Sequence, residues 1–225
     1  MTKKKYEILE NYMLGCMLDI VHDAEHVYRV LFAALDIARY EENVNYDVLI
    51  TACLLHDIGR VEEIANSSLD HAAIGAQKAA DFLTTQGFSL KFIQHVYNCI
   101  ITHRFRTGRV PESIEAKILF DADKLDVSGA MGIVRSLLWE GKEQIPIFNR
   151  LNGYISDGSG DSEPSFLQEY HIKLEQVYDY FFTEHGEELA IKRQKISKDF
   201  YNSLMNELME SYEGAGLLSS LLTEK

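Results

Sequence analysis

The stretch Thr51-Ala52-Cys53-Leu54-Leu55-His56-Asp57-Ile58-Gly59-Arg60 decides how the rest of the chain is read. An apolar run ends there in an adjacent imidazole and carboxylate. Polar groups set among apolar neighbours must be paired, hydrogen-bonded or bound to a metal, because burying a charge uncompensated is strongly unfavourable. Taken alone, the dipeptide fits a salt bridge at a helix end, so any other reading needs partners from elsewhere in the sequence.

Working outward from it, apolar residues recur every three to four positions and only three prolines interrupt the chain, which predicts an all-α protein with no strand. One helix is expected from Asp23 to Arg39 through Val27, Val30, Leu31, Ala34 and Leu35. The next runs from Val48 to about Ile58, with Asp47 as its N-cap and Gly59 as its end; it is apolar on most sides and therefore central. Asp70 or Ser68 caps a helix carrying Ala72, Ala76 and Leu83 that Gly87 terminates. Ser89 opens another, to about His103. Residues 152 to 165, rich in Gly, Ser and Asp, predict a mobile surface loop, followed by two amphipathic helices over Phe166–Phe182 and Glu187–Tyr212.

Length and composition bound the rest. At 225 residues the chain suits one compact domain, with a core over about residues 20–140 and a C-terminal helical extension over about 165–225. No apolar run approaches the ~18–20 residues that span a bilayer. Lys3-Lys4-Lys5 leads into Tyr6, Glu7 and Glu10 rather than an apolar segment, so neither membrane nor signal peptide is expected and the cytoplasm is the expected compartment. Cys16, Cys53 and Cys99 lack CxxC spacing and are assigned no catalytic role. A net charge of −13 argues against a nucleic-acid polymer as partner, because backbone binding needs clustered Lys and Arg. An anionic substrate would have to meet local cations.

Around His56 and Asp57 the other metal-ligand types are His22, His26, His71, His95, His103, Asp121, Asp123 and Asp126. Divalent ions take neutral imidazoles and carboxylates converging from several elements, since one helix offers only its i, i+3 and i+4 positions to a point. These candidates fall on separate predicted helices, which favours a metal over an isolated salt bridge. His22 lies four residues before His26, on the same helical face. His95 is two turns from His103, too far to share one ion, and reads as an ordinary helix histidine.

The order and spacing resemble the HD-domain metal-dependent phosphohydrolases, in particular the small stand-alone bacterial members. The resemblance rests on His26-Val27-Tyr28-Arg29-Val30, on Leu54-Leu55-His56-Asp57-Ile58-Gly59-Arg60, on Asp70-His71-Ala72-Ala73-Ile74-Gly75, on Ile101-Thr102-His103-Arg104 and on Asp121-Ala122-Asp123-Lys124-Leu125-Asp126. It implies that His26, His56, Asp57 and Asp123 hold a metal, with Asp123 preferred over Asp121 by the family's Ala-Asp-basic pattern. It places His71 and His103 where members with a second metal carry further ligands, so one or two ions per chain are expected. His22 and Asp126 are assigned to supporting positions beside the ligands. Mixed N/O ligation admits Mn²⁺, Fe²⁺, Co²⁺, Ni²⁺, Zn²⁺ or Mg²⁺.

The implied chemistry is hydrolysis of a phosphoester or phosphoanhydride bond, most simply in a nucleotide. A divalent ion acidifies water and polarises a phosphoryl oxygen. Asp57 can share the water's proton, and Arg60, Lys124, Arg104 and Arg106 are the cations for the phosphoryl oxygens. The alternative is a metal-bearing nucleotide sensor with little turnover. Two branches of the family fit poorly. Arg104 follows His103 where cyclic-dinucleotide phosphodiesterases carry a second histidine, and Arg60 stands where deoxynucleoside monophosphatases carry a glutamate. The expected partner is a small phosphorylated molecule; self-association is left open.

Overall fold

A computed structural model describes residues 1–17, 24–104, 108–151 and 153–222. The fold is all-α apart from one small hairpin among the described residues. The chain divides into two compact units, one made of Met1–Asp126 with Tyr180–Leu189, the other of Val127–Asp179 with the residues from Ala190 onward.

The first unit holds α1 (Lys3–Cys16), α2 (Ala24–Ala38), α3 (Tyr46–Leu55), α4 (Arg60–Ala65), α5 (His71–Thr85), α6 (Leu90–Ile101) and α7 (Ile114–Asp126). As expected from a helix without a polar face, α3 is central: Val48, Leu49 and Thr51–Leu55 are buried, and it packs against α1, α2, α5, α6 and α7. Its start differs from the expectation. Asn45, not Asp47, is the N-cap, its side-chain oxygen accepting from Asp47 N–H and Val48 N–H at 3.1 and 3.2 Å. Asp70 and Ser89 cap α5 and α6 as predicted, accepting from Ala72 N–H and Phe92 N–H.

The end of α3 differs as well, and the difference shapes the site. The helix stops at Leu55 rather than Ile58, because His56 Nδ1–H donates to the Cys53 carbonyl at 2.7 Å and so competes for a helical acceptor. The Arg60 N–H then donates to the Asp57 carbonyl at 3.0 Å, closing a tight turn from which α4 starts. Gly59 is required in that turn for space. A Cβ there would strike the His71 carbonyl oxygen and come within 2.7 Å of the Gly75 nitrogen, so the His56–Gly59 turn lies directly on the first turns of α5.

The second unit holds α8 (Gly129–Lys142), a hairpin of β1 (Arg150–Leu151) and β2 (Tyr154–Ile155), α9 (Phe166–Glu169) and the part of α10 (Glu184–Leu221) beyond Leu189. Ile133, Phe166, Leu167, Tyr170 and Leu174 form its core, with Tyr201, Leu204, Met205 and Leu208 of α10 packed against them. Two sequence expectations are corrected here. The helix predicted over Phe166–Phe182 is α9 followed by a π turn at Tyr170–Leu174, where the Glu175 N–H donates to Tyr170 O, and then irregular turns; at its far end Asp121 takes the Phe182 and Thr183 amides. The stretch expected to be a mobile loop contributes strand β2 and is tied internally: Asp161 accepts from Ser156 Oγ at 2.6 Å and from Asn149 Nδ2 at 3.2 Å.

Glu140 of α8 is 5% exposed, and neither carboxylate oxygen has a hydrogen-bond partner. Burial, with Glu169 adding and Lys173 opposing, pushes its carboxyl up from 4.5 to about 7. A raised acid binds its proton more tightly when folded, so its contribution is complete below pH 4.5 and is lost as pH rises through about 7. Melting temperature is therefore expected to fall between pH 5 and 8, and Glu140→Gln to flatten that fall; an unchanged slope in the variant would contradict this. For the turn, Gly59→Ala is expected to cost about 1–3 kcal/mol in denaturant unfolding, the range for overpacking.

Candidate metal centre

Five elements bring the predicted residues together. α2 supplies His26, the end of α3 supplies His56, the turn after it Asp57, the start of α5 His71, the residues after α6 His103, and α7 Asp123. The four histidines are at most 2% exposed and Asp57 is 1% exposed, whereas Asp123 retains 20% side-chain exposure and forms the open edge of the group.

Each imidazole is fixed through its Nδ1. His56 Nδ1–H donates to Cys53 O at 2.7 Å and His103 Nδ1–H to Ile100 O at 2.6 Å. A carbonyl only accepts, so the tautomer is set and Nε2 is left as a lone pair. His26 Nδ1–H donates to Asp126 Oδ2 at 2.7 Å, and Asp126 is held in turn by Arg29 Nε and Nη2 at 2.6 and 3.1 Å. His71 Nδ1 lies 2.7 Å from Glu63 Oε2 and also 2.7 Å from Arg104 Nη1. The carboxylate is the stronger partner for an imidazole N–H, and Arg104 has its own ion pair with Glu63 Oε1 at 2.9 Å.

With Nδ1 occupied, the Nε2 atoms converge on the Asp57 carboxylate in two pairs. On one side His26 and His56 lie 3.4 and 3.8 Å from Oδ2, and Asp123 Oδ1 stands 3.3 and 3.8 Å from the same two nitrogens. On the other, His71 and His103 lie 3.3 and 3.7 Å from Oδ1. Within the pairs the Nε2 atoms are 3.4 and 3.2 Å apart. Two donors about 2.1 Å from a common ion, at tetrahedral or octahedral angles, stand about 3.0–3.4 Å apart, so the spacing suits a cation between them.

Burial disfavours the ionised Asp57, yet the facing imidazole of His56, the Arg60 guanidinium and the imidazoles of His103 and His26 hold its carboxyl well below the usual range. Burial also disfavours protonated His26, but Asp123, Asp126 and Asp57 outweigh it and raise that imidazole well above its ordinary value. His56, dominated by burial, is lowered to about 4 and stays neutral; burial lowers His71 too. Asp57 Oδ2 is a buried carboxylate oxygen with no hydrogen-bond partner, which native structures rarely leave uncompensated. Among the described residues, side chains able to hold an ion come together as His26/His56/Asp123, as Asp57/His71/His103 and as Glu63/Asp70/His71.

The remaining predicted residues are placed as follows. Asp121, left open in the sequence against Asp123, is engaged elsewhere: it accepts from Phe182 N–H at 3.0 Å and from Thr183 N–H and Oγ1–H at 2.8 and 2.6 Å. Arg60 Nε donates to Asp57 Oδ1 at 3.1 Å, and Arg104 reaches His71 and Glu63 as described. Lys124, expected at the phosphate, has another engagement: its ammonium donates to Tyr180 O at 2.7 Å and lies 5.2–5.5 Å from the Phe120, Tyr180 and Phe181 rings. His22 and Arg106 lie outside the described residues. His95 sits 3.0 Å from Glu115, away from the cluster, in keeping with its ordinary reading. Sequence reasoning missed Glu63 as a partner of the centre. Nothing marked it except its position one turn after Arg60.

Comparisons with known proteins bear on the family and the fold that carry this site. Residues 23–128 match the family model of the HD domain. YpgQ of Bacillus subtilis is 27% identical over 194 residues, covering 83% of this chain and 84% of YpgQ. Its structure in complex with ADP aligns with TM-score 0.70 at 24% identity, covering 90% of this chain and 97% of that one. A predicted HD superfamily hydrolase from an uncultured Thermotogales bacterium has TM-score 0.60 and 27% identity over 92% of both chains. An HD-superfamily hydrolase from Bacillus thuringiensis has TM-score 0.69 and 23% identity, covering 92% and 97%. No helix among the described residues is long and apolar enough to cross a membrane.

Because Asp121 and Asp123 have separated roles in this geometry, their variants should separate too. Asp121→Ala leaves two amide N–H groups without their acceptor and is expected to cost roughly 1–3 kcal/mol of unfolding free energy with manganese binding intact. Asp123→Ala should weaken manganese binding in a titration and leave the melting temperature within a few degrees. A reversed pattern would exchange the two assignments. Residues 23–128 match the HD domain, and over nearly its full length the chain is similar to small bacterial proteins described as HD-superfamily hydrolases.

Proposed function

We propose that this protein is a metal-dependent phosphohydrolase acting on a nucleotide, with His26, His56, Asp57 and Asp123 holding one divalent ion and His71, His103 and the other oxygen of Asp57 holding a second. The observation that carries the reading is the convergence of four Nδ1-tethered imidazoles, through Nε2, on the two oxygens of one buried carboxylate. When bound, the divalent ion supplies Lewis-acid polarisation of the phosphoryl group and acidifies the attacking water.

The chain's own groups do the rest. Asp57 stays ionised in its surroundings, which leaves both of its oxygens available to hold the ions, and a carboxylate lone pair not used in that way would share the proton of the attacking water. Arg60 and Arg104 have side chains 20% and 17% exposed; Arg60 is anchored through Nε to Asp57 and through Nη1 to Glu63, and Arg104 through Nη1 to Glu63. Their remaining N–H groups meet the charge that builds on the phosphoryl oxygens. These fixed cations reconcile an anionic substrate with a chain of net charge −13. The choice of a nucleotide is supported by the ADP complex of YpgQ, a statement about that relative which this chain's arginines make chemically reasonable here.

The test is phosphate or pyrophosphate release from nucleoside mono-, di- and triphosphates and cyclic nucleotides, each with Mn²⁺, Co²⁺, Ni²⁺, Zn²⁺ and Mg²⁺. Turnover of at least one member is expected, and chelation should abolish it. Asp57→Ala should lose metal and activity together, whereas Arg104→Gln should keep metal and lose about 10²–10³-fold in rate. Nucleotide binding without turnover would favour the sensor, and full activity in Asp57→Ala would remove the assigned centre.

A further inference from the structure

We infer that Glu63 is a positioning residue that couples the His71/His103 half of the centre to the two arginines, so that one carboxylate sets both a metal-ligand orientation and the anion-facing cations. The inference rests on the metal-centre reading above and goes beyond it in giving a role to a residue of α4 that is no ligand there.

Glu63 gathers three donors from three segments. Its Oε2 accepts from His71 Nδ1–H at 2.7 Å and from Arg60 Nη1 at 3.2 Å, and its Oε1 accepts from Arg104 Nη1 at 2.9 Å. Arg60 precedes it by one turn of α4, His71 opens α5, and Arg104 follows His103. Charge-assisted bonds of this kind fix geometry as well as energy.

The same residue also belongs to a donor group with Asp70 and His71. Reading that group as a third metal site fails on its partners. Asp70 Oδ1 caps α5 by accepting from Ala72 N–H at 3.1 Å, and the oxygens of Glu63 already face two guanidiniums. The cations of this corner are side chains. α4 has no buried residue, so its place depends on polar ties of this sort and on Lys78, whose ammonium donates to Ile58 O and Glu62 Oε1, both at 2.7 Å.

The role predicts coupled losses. Without the carboxylate, His71 loses the acceptor that directs its Nε2, and Arg60 and Arg104 lose their common anchor. Partners that orient metal ligands typically change metal affinity about 10–100-fold. The experiment uses the full chain as wild type, Glu63→Gln, Glu63→Ala, Arg104→Gln, the Glu63→Gln/Arg104→Gln double variant and His56→Ala. It reads manganese titrations, inorganic phosphate affinity of the manganese-loaded protein, and melting temperature. Glu63→Gln, of the same size, guards against misfolding of the alanine variant.

The expected result is a manganese dissociation constant raised about 10–100-fold in Glu63→Gln. Phosphate binding should weaken in both single variants, with a double variant no weaker than the worse single one, at an unchanged melting temperature. A purely structural role would move the melting temperature and leave the two affinity changes additive. A wild-type manganese isotherm in Glu63→Gln, or strict additivity with Arg104→Gln, overturns the inference. So does a wild-type protein that binds no phosphate, since the arginines would then have no anion to hold. If His56→Ala loses manganese while Glu63→Gln keeps it, only the role of Glu63 falls. If His56→Ala also keeps it, the metal-centre reading falls first.

Discussion

The approach of four imidazole nitrogens to one buried carboxylate is the interaction on which the first unit depends. Asp57 cannot stay ionised at 1% exposure without cations, and the histidines cannot face each other at 3.2–3.4 Å as bare lone pairs without something positive between them. Every surrounding element contributes to that compensation. Arg60 comes from α4, the paired histidines from α2, α3, α5 and the end of α6, and the carbonyls of Cys53 and Ile100 orient two of the rings. α3, the most buried helix, places its end at this point, so the apolar core and the polar centre are joined by the same ten residues.

The consequence is a division of labour within α7. On one side Asp123 faces His26 and His56; on another Asp121 and Lys124 hold Tyr180–Thr183, where α10 begins. Three residues after Asp123, Asp126 binds Arg29 and directs His26. Three aspartates within six residues thus do three different things, and the local sequence makes them look interchangeable. Their partners come from positions up to a hundred residues away in the chain.

That contrast explains how much was legible in the sequence. Helices α2, α3, α5 and α6 followed from 3.6-residue periodicity and from Asp70 and Ser89 as caps, because these signals are local, whereas α4 was not foreseen. The cluster of His26, His56, Asp57, His71, His103 and Asp123 was legible through ordered motifs. What failed was decided at a distance. α3 stops early because the His56 side chain binds a backbone carbonyl, and the turns just before α10 are held by Asp121, which takes the Phe182 and Thr183 amides from 61 and 62 residues away. Lys124 is adjacent to a predicted ligand in sequence, yet its ammonium is met by Tyr180 O and aromatic rings that no periodicity reveals. Glu63 was invisible for the same reason, being defined by three donors from separate segments.

The contact of Gly59 with α5 has one more implication. Because the turn that carries His56 and Asp57 rests on the backbone of His71 and Gly75, the separation between the two halves of the centre is a property of the main chain, independent of the side chains that fill them. Exchanging a ligand type on either half alters which ion is preferred there and leaves the span between the halves untouched. Catalytic repertoire in such a scaffold can therefore diversify one half at a time, with a pair of glycines acting as the fixed ruler.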